Sequence, residues 1–244
     1  MTVVNDLSHP SITGIVDRSP TAYSRPTILP IRATGTRAPV YCIHPIDGLA
    51  SCYTSLAAHV DEGRPIYGVQ APTPGEDSKS LTALAAYYTD EILAADNVGP
   101  INLLGLSFGG LLAHAVAIDM QGRGVSVDSL TLLGSDPLQS RAVGAPTALA
   151  HELLAGMSDD IDRSHAEELV AVATHNETLA NRHFPGVYVG DAMVVSSDGY
   201  DAGPAWHTFI SGTVVKYLVP DAAAFGLVGS LVNKFVSRTF RAGS

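Results

Sequence analysis

Ile101-Asn102-Leu103-Leu104-Gly105-Leu106-Ser107-Phe108-Gly109-Gly110-Leu111-Leu112-Ala113 reads as a short apolar strand, a G-x-S-x-G turn and the start of a helix. That context turns a five-residue motif into a nucleophile elbow. Ser107 must stand at the tip of a turn too tight for side chains two residues to either side. Gly105 and Gly109 supply that room. The serine oxygen is lifted clear of the sheet, and the next backbone N–H, that of Phe108, can face a developing oxyanion.

Outward from this stretch, strands and helices alternate. Val40-Tyr41-Cys42-Ile43 is a buried-strand pattern ending at His44, and order begins there, near Pro39. Pro45-Ile46-Asp47-Gly48 is a turn, and Ser51 is placed to cap a helix running to about His59. Ile66–Val69 is the next strand. Ser80 opens a helix in which Leu81, Leu84, Ala85, Tyr88 and Ile92 recur at helical spacing. After the elbow helix, Leu130–Leu133 is another apolar run. This alternation predicts an α/β fold with a mostly parallel sheet and helices on both faces. In such sheets ligands bind beyond the carboxyl ends of the strands, where Ser107 falls.

From about residue 137 to 185 the alternation stops, and two helical patterns appear, near 146–157 and 162–182. They predict an inserted helical lid. Strands resume at Ala192–Val195 and Thr213–Leu218, and residues 227–240 form a last amphipathic helix. Residues 1–27 hold prolines among polar residues and read as a linker or N-terminal arm, ahead of one domain over 28–244.

Composition excludes several classes. The 244 residues are 46% hydrophobic and 16% charged, as expected of one large soluble domain. The net charge of −10, without a basic cluster, argues against nucleic acid and anionic membrane as partners. There is no apolar run long enough to span a membrane, and no signal-peptide pattern at Met1-Thr2-Val3-Val4-Asn5-Asp6, so a cytoplasmic location is expected. Cys42 and Cys52 give neither a disulfide framework nor metal spacing.

Three motifs in order carry a family likeness: His44-Pro45-Ile46-Asp47-Gly48, Tyr67-Gly68-Val69-Gln70-Ala71-Pro72, and Gly105-Leu106-Ser107-Phe108-Gly109-Gly110-Leu111-Leu112-Ala113. Together they resemble the thioesterase domains of non-ribosomal peptide and polyketide synthetases, which have the α/β-hydrolase fold. Ile28-Leu29-Pro30-Ile31-Arg32 looks like the family's lead-in from a carrier protein. The resemblance implies an acyl or peptidyl chain delivered on the phosphopantetheine of a carrier protein, with no cofactor bound by the domain itself. It further implies an acyl-enzyme on Ser107, released by water or by ring closure, and an oxyanion hole made by the N–H groups of Ile46 and Phe108.

The pattern breaks at the base. In this fold the partners follow in the order serine, acid, histidine. The family histidine lies on the loop after the last strand, here Val219-Pro220-Asp221-Ala222-Ala223-Ala224-Phe225-Gly226-Leu227, and its place falls on Ala224. No histidine occurs after His207. The intact flanks favour a substitution at this position over natural loss. Of the other histidines, His44 and His114 are expected away from the base position, and His151, His165, His175 and His183 are expected to be solvated in the lid. For the acid, many family members carry aspartate where Gly134 stands. Asp136, two residues on, is favoured, with Asp198 as the alternative. Two competing functions remain: a free-standing editing thioesterase and a carrier-binding module that has lost catalysis.

Overall fold

The computed structural model describes residues 26–72, 79–95, 100–138, 163–197, 199–221 and 223–242. Among these, seven strands form one sheet in the order β1-β3-β2-β4-β5-β6-β7. They are β1 (Ile28–Arg32), β2 (Val40–Ile43), β3 (Ile66–Val69), β4 (Ile101–Leu106), β5 (Val127–Leu133), β6 (Ala192–Ser197) and β7 (Val214–Val219). Every pairing is parallel except that of β1 with β3. The elbow strand β4 therefore lies at the centre.

The inner strands β2 to β6 are largely buried on both faces, and their alternate residues feed two separate cores. Tyr41, Ile43, Leu103, Leu130, Leu132 and Val194 face one core, together with α2 (Leu81–Ala95) and α3 (Phe108–Gly122). Val40, Cys42, Leu104, Met193 and Val195 face the other, with α1 (Thr54–Ala57) and α6 (Phe225–Ala242). Burial pushes the Cys42 thiol up, as befits a core residue. Ser80 caps α2, its hydroxyl accepting the Ala83 N–H at 3.0 Å. Ser51 plays no such part: a 3₁₀ turn, Ser51–Tyr53, leads into α1 after Ala50, with no side-chain cap.

The first strand departs from the sequence reading, which began order near Pro39. Pro30 hides the strand pattern, but on an edge strand a proline costs no ladder hydrogen bond on its open side. Arg32 fastens β1 to the body, its guanidinium donating to the carbonyls of Ala57 at 2.7 Å and Asp61 at 2.6 Å. Ile28–Arg32 is thus an integral part of the sheet.

Of the two expected lid helices, the one near 146–157 lies outside the described residues. The other is α4 (Arg163–Arg182). Its buried residues Leu169, Val172, Ala173, Leu179 and Ala180 follow helical spacing and turn one stripe inward. A short helix, α5 (Gly203–Trp206), precedes β7. Among the described residues no helix is long and apolar enough to cross a membrane.

Candidate active site

Ser107 sits between β4 and α3 with φ 53° and ψ −118°, and among the described residues it is the one non-glycine with positive φ. That strained conformation persists only because its surroundings over-determine it. A Cβ on Gly105 would stand 2.0 Å from the Gly109 carbonyl oxygen, and one on Gly109 would stand 2.4 Å from that of Ile43. Both glycines are therefore required by close backbone approach. The Ser107 N–H donates to the Leu133 carbonyl at 2.8 Å, while its side is exposed to solvent. Phe108 opens α3, so its N–H has no acceptor within the helix and is available to an oxyanion.

Tyr53 supports the elbow from below. Its fully buried phenol donates to the Ile43 carbonyl at 2.7 Å and accepts the Leu106 N–H at 2.9 Å. Its ring meets that of Phe225 at 5.6 Å between centroids. One side chain therefore touches the end of β2, the residue before the nucleophile and the residue after Ala224. No sequence pattern points to this role, because a tyrosine in a short helix looks like any core aromatic.

The loop after β2 holds Ile46. His44 is fully buried, and burial pulls its imidazole down to about 4, so it is neutral near pH 7. Its Nδ1 lies 2.5 Å from the Pro45 carbonyl, which can only accept, so Nδ1 carries the proton. Nε2 then accepts from the Tyr88 hydroxyl at 2.6 Å. The Gly48 N–H also donates to the Pro45 carbonyl, at 3.2 Å. In a trans peptide the carbonyl and the following N–H point in opposite directions. Pinning the Pro45 oxygen therefore aims the Ile46 N–H the other way.

The acid side is built differently. Gly134 takes φ 49°, and its N–H donates to the Val195 carbonyl at 2.7 Å. The following Ser135 is buried, and its carbonyl accepts from the Trp206 indole at 2.7 Å. Asp136 comes next, half-buried, with one carboxylate oxygen accepting the Leu138 N–H at 2.7 Å and the other accepting from the Tyr200 hydroxyl. That bond, foremost, pushes the Tyr200 phenol up to about 12. Asp198, the alternative acid, lies outside the described residues.

Ala224 is exposed, immediately before α6 and just beyond the carboxyl end of β7. Its N–H donates to the Asp221 carbonyl at 3.0 Å and its carbonyl accepts from Leu227 at 3.1 Å, so its backbone closes the turn that starts α6. His114 is buried in the core, its Nε2 donating to the Phe209 carbonyl at 2.9 Å. His207 is exposed beside α5. His175 and His183 are half-buried rather than fully solvated, and the Nε2 of each is buried without a hydrogen-bond partner. His151 and the His165 side chain lie outside the described residues. His59 packs against α6 at Gly226 and Gly229, and no sequence pattern singled it out. Among the described residues no three metal-ligating side chains converge.

A central parallel sheet with a serine elbow at its carboxyl edge, helices on both faces and an inserted helix is the α/β-hydrolase fold. The profile of the thioesterase domain family matches residues 38–182, and the chain belongs to that family. It is 40% identical over 209 residues to malpinin synthetase of Mortierella alpina, a match covering 77% of this chain and 3% of that protein. It is 33% identical over 143 residues to a dimodular non-ribosomal peptide synthase of Bacillus subtilis, covering 56% of this chain and 6% of that one. The chain thus spans a small fraction of the length of these relatives. In fold it is similar to the NocB thioesterase domain from the nocardicin cluster, with TM-score 0.68, 24% identity, and 90% of this chain and 99% of that chain covered.

Proposed function

We propose that this chain is a chain-releasing thioesterase domain whose turnover is impaired at Ala224. The observation that carries the reading is the strained, exposed Ser107 at the turn into α3, on the sheet edge where Ala224 also lies. A carrier protein presents an acyl or peptidyl thioester on phosphopantetheine. The Ser107 oxygen attacks the thioester carbonyl, and the oxyanion forms against the two backbone donors. The carbon–sulfur bond breaks and the carrier thiol leaves. Water, or a nucleophile within the chain itself, then attacks the serine ester and frees the product as an acid or a ring.

A histidine at position 224 would take the serine proton and return one to the leaving sulfur. An alanine there leaves this to solvent. Asp136 is the favoured acid, since it follows the strand after the elbow helix, with Asp198 as the alternative. Residues 1–27 serve as the linker from an upstream carrier, and residues 28–244 as the domain. The likeness to synthetases that are many times longer supports this arrangement. Ala224 itself favours a second reading, a carrier-binding module without turnover.

Intact-protein mass after mixing with a pantetheine-thioester mimic separates the two, for this chain and for Ala224→His side by side. The expected result is slow acylation or a persistent adduct on Ser107 in this chain. In Ala224→His, turnover is expected to be faster by about 10²–10⁴. Absence of acylation in both proteins would overturn the catalytic reading.

A further inference from the structure

Asn176 interrupts the apolar stripe of α4. It stands in register with Leu169, Val172, Ala173, Leu179 and Ala180, at 2% exposure. A buried amide at such a position is costly unless it is hydrogen-bonded. Its Nδ2 donates to the carbonyl of Ile46 at 2.9 Å, 130 residues away in sequence. One helical turn earlier, Val172 lies so close to the same loop that a Cβ on Gly48 would stand 2.6 Å from its Cγ1. Helix α4 is therefore keyed to the loop at two points, one apolar and one polar.

Ile46 lies between two peptide units. The unit before it is fixed through the Pro45 carbonyl, which accepts from His44 and from Gly48. The unit after it is fixed through its own carbonyl by Asn176. With both planes held, the φ and ψ of Ile46 are held, and so is the direction of its N–H. Oxyanion donors work by being aimed before the charge develops. We infer that Asn176 is a positioning residue. From the lid helix it fixes the Ile46 N–H for the oxyanion, so that the seating of α4 and the completion of the oxyanion hole are one structural event. The inference rests on the acyl-transfer reading above.

The test is phosphonylation of Ser107 by a fluorophosphonate ester, followed by mass spectrometry. The Oγ–P bond forms, the P–F bond breaks, fluoride leaves, and the serine proton passes to solvent in this chain and to the imidazole in Ala224→His. The phosphoryl oxygen occupies the oxyanion position, so the maximal rate kinact reports the hole, and KI reports probe binding under the lid. In this chain and in Ala224→His alike, Asn176→Leu should lower kinact by about tenfold or more, with KI within about twofold. Leu179→Ala, which removes core packing from the same helix, should leave kinact within about twofold of its parent. A kinact unchanged in Asn176→Leu, or lowered equally by Asn176→Leu and Leu179→Ala, would overturn the inference and leave the function standing. No Ser107 adduct in either background would remove the acyl-transfer reading and the inference with it.

Should Asn176→Leu fail to fold, Asn176→Asp decides the matter through its pH profile. A buried carboxyl is protonated at higher pH than an exposed one and can then donate to the Ile46 carbonyl. The ratio of its kinact to that of its parent should rise as pH falls. A flat ratio would overturn the inference.

Discussion

The carboxyl ends of β2 and β4 and those of β5 and β7 meet at the same rim of the sheet, but they are held by different means. On the first side the proposed parts are backbone: the Ser107 turn, the Phe108 N–H and the Ile46 loop. Buried side chains fix each of them, with Tyr53 under the elbow and His44 and Asn176 on the loop. On the second side the proposed parts are side chains on exposed or half-buried turns, Asp136 and position 224. Nothing in the fold requires an imidazole at 224, because the alanine backbone alone closes the turn into α6. A backbone-built half of a site cannot be lost without losing the fold. A side-chain half can be lost one residue at a time, which is what we propose for position 224.

Acid should bear hardest on the two buried neutral imidazoles, His44 beside the Ile46 loop and His114 in the core. Burial pulls His44 and His114 each down to about 4, against the usual 6.5 of an exposed imidazole. Below 6.5 the unfolded chain binds protons that the folded chain refuses, so stability falls as the pH drops from there to 4. The loss reaches about 3 kcal/mol for each imidazole at pH 4. Urea titrations across that range should show it. His114→Gln keeps a donor for the Phe209 carbonyl, and it should remove about half of the slope. An unchanged slope would place the acid sensitivity elsewhere.

Tyr53→Phe sharpens the comparison at the elbow itself. It leaves the Leu106 N–H and the Ile43 carbonyl buried without their partner. The expected cost is about 2–4 kcal/mol in urea unfolding, with slower phosphonylation of Ser107. Stability lost without any change in labelling would show that the phenol supports the fold and not the nucleophile.

The smallest effect is expected on the side-chain half. Tyr200 is exposed, so Tyr200→Phe should cost less than about 1 kcal/mol. In the Ala224→His background it frees Asp136 to pair with the restored imidazole, and turnover should rise by about two- to fivefold. An unchanged turnover would move the acid's role to Asp198.

The same division explains what the sequence disclosed. The elbow was legible because its geometry leaves room only for glycine at 105 and 109, and apolar periodicity placed the strands and helices around it. β1 was illegible because Pro30 masks an edge strand as a linker. Asn176 was illegible because periodicity marks the buried stripe but not which polar residue lies within it, nor what it meets 130 residues away. The acid stayed ambiguous because Gly134 occupies the family position and a turn aspartate has no periodic signature.

β1 runs against its neighbours and so begins where they end. Ile28 sits opposite Val69, the last residue of β3, and just upstream the Thr27 carbonyl accepts the Gln70 N–H at 2.8 Å. Whatever chain lies ahead of Pro26 therefore leaves from the rim that carries Ser107, three strand spacings from β4, or roughly 15 Å. A carrier joined there would be leashed beside the nucleophile rather than across the molecule. A short leash would then suffice, and lengthening it would thin out the delivered thioester only as the slow power law of a flexible chain.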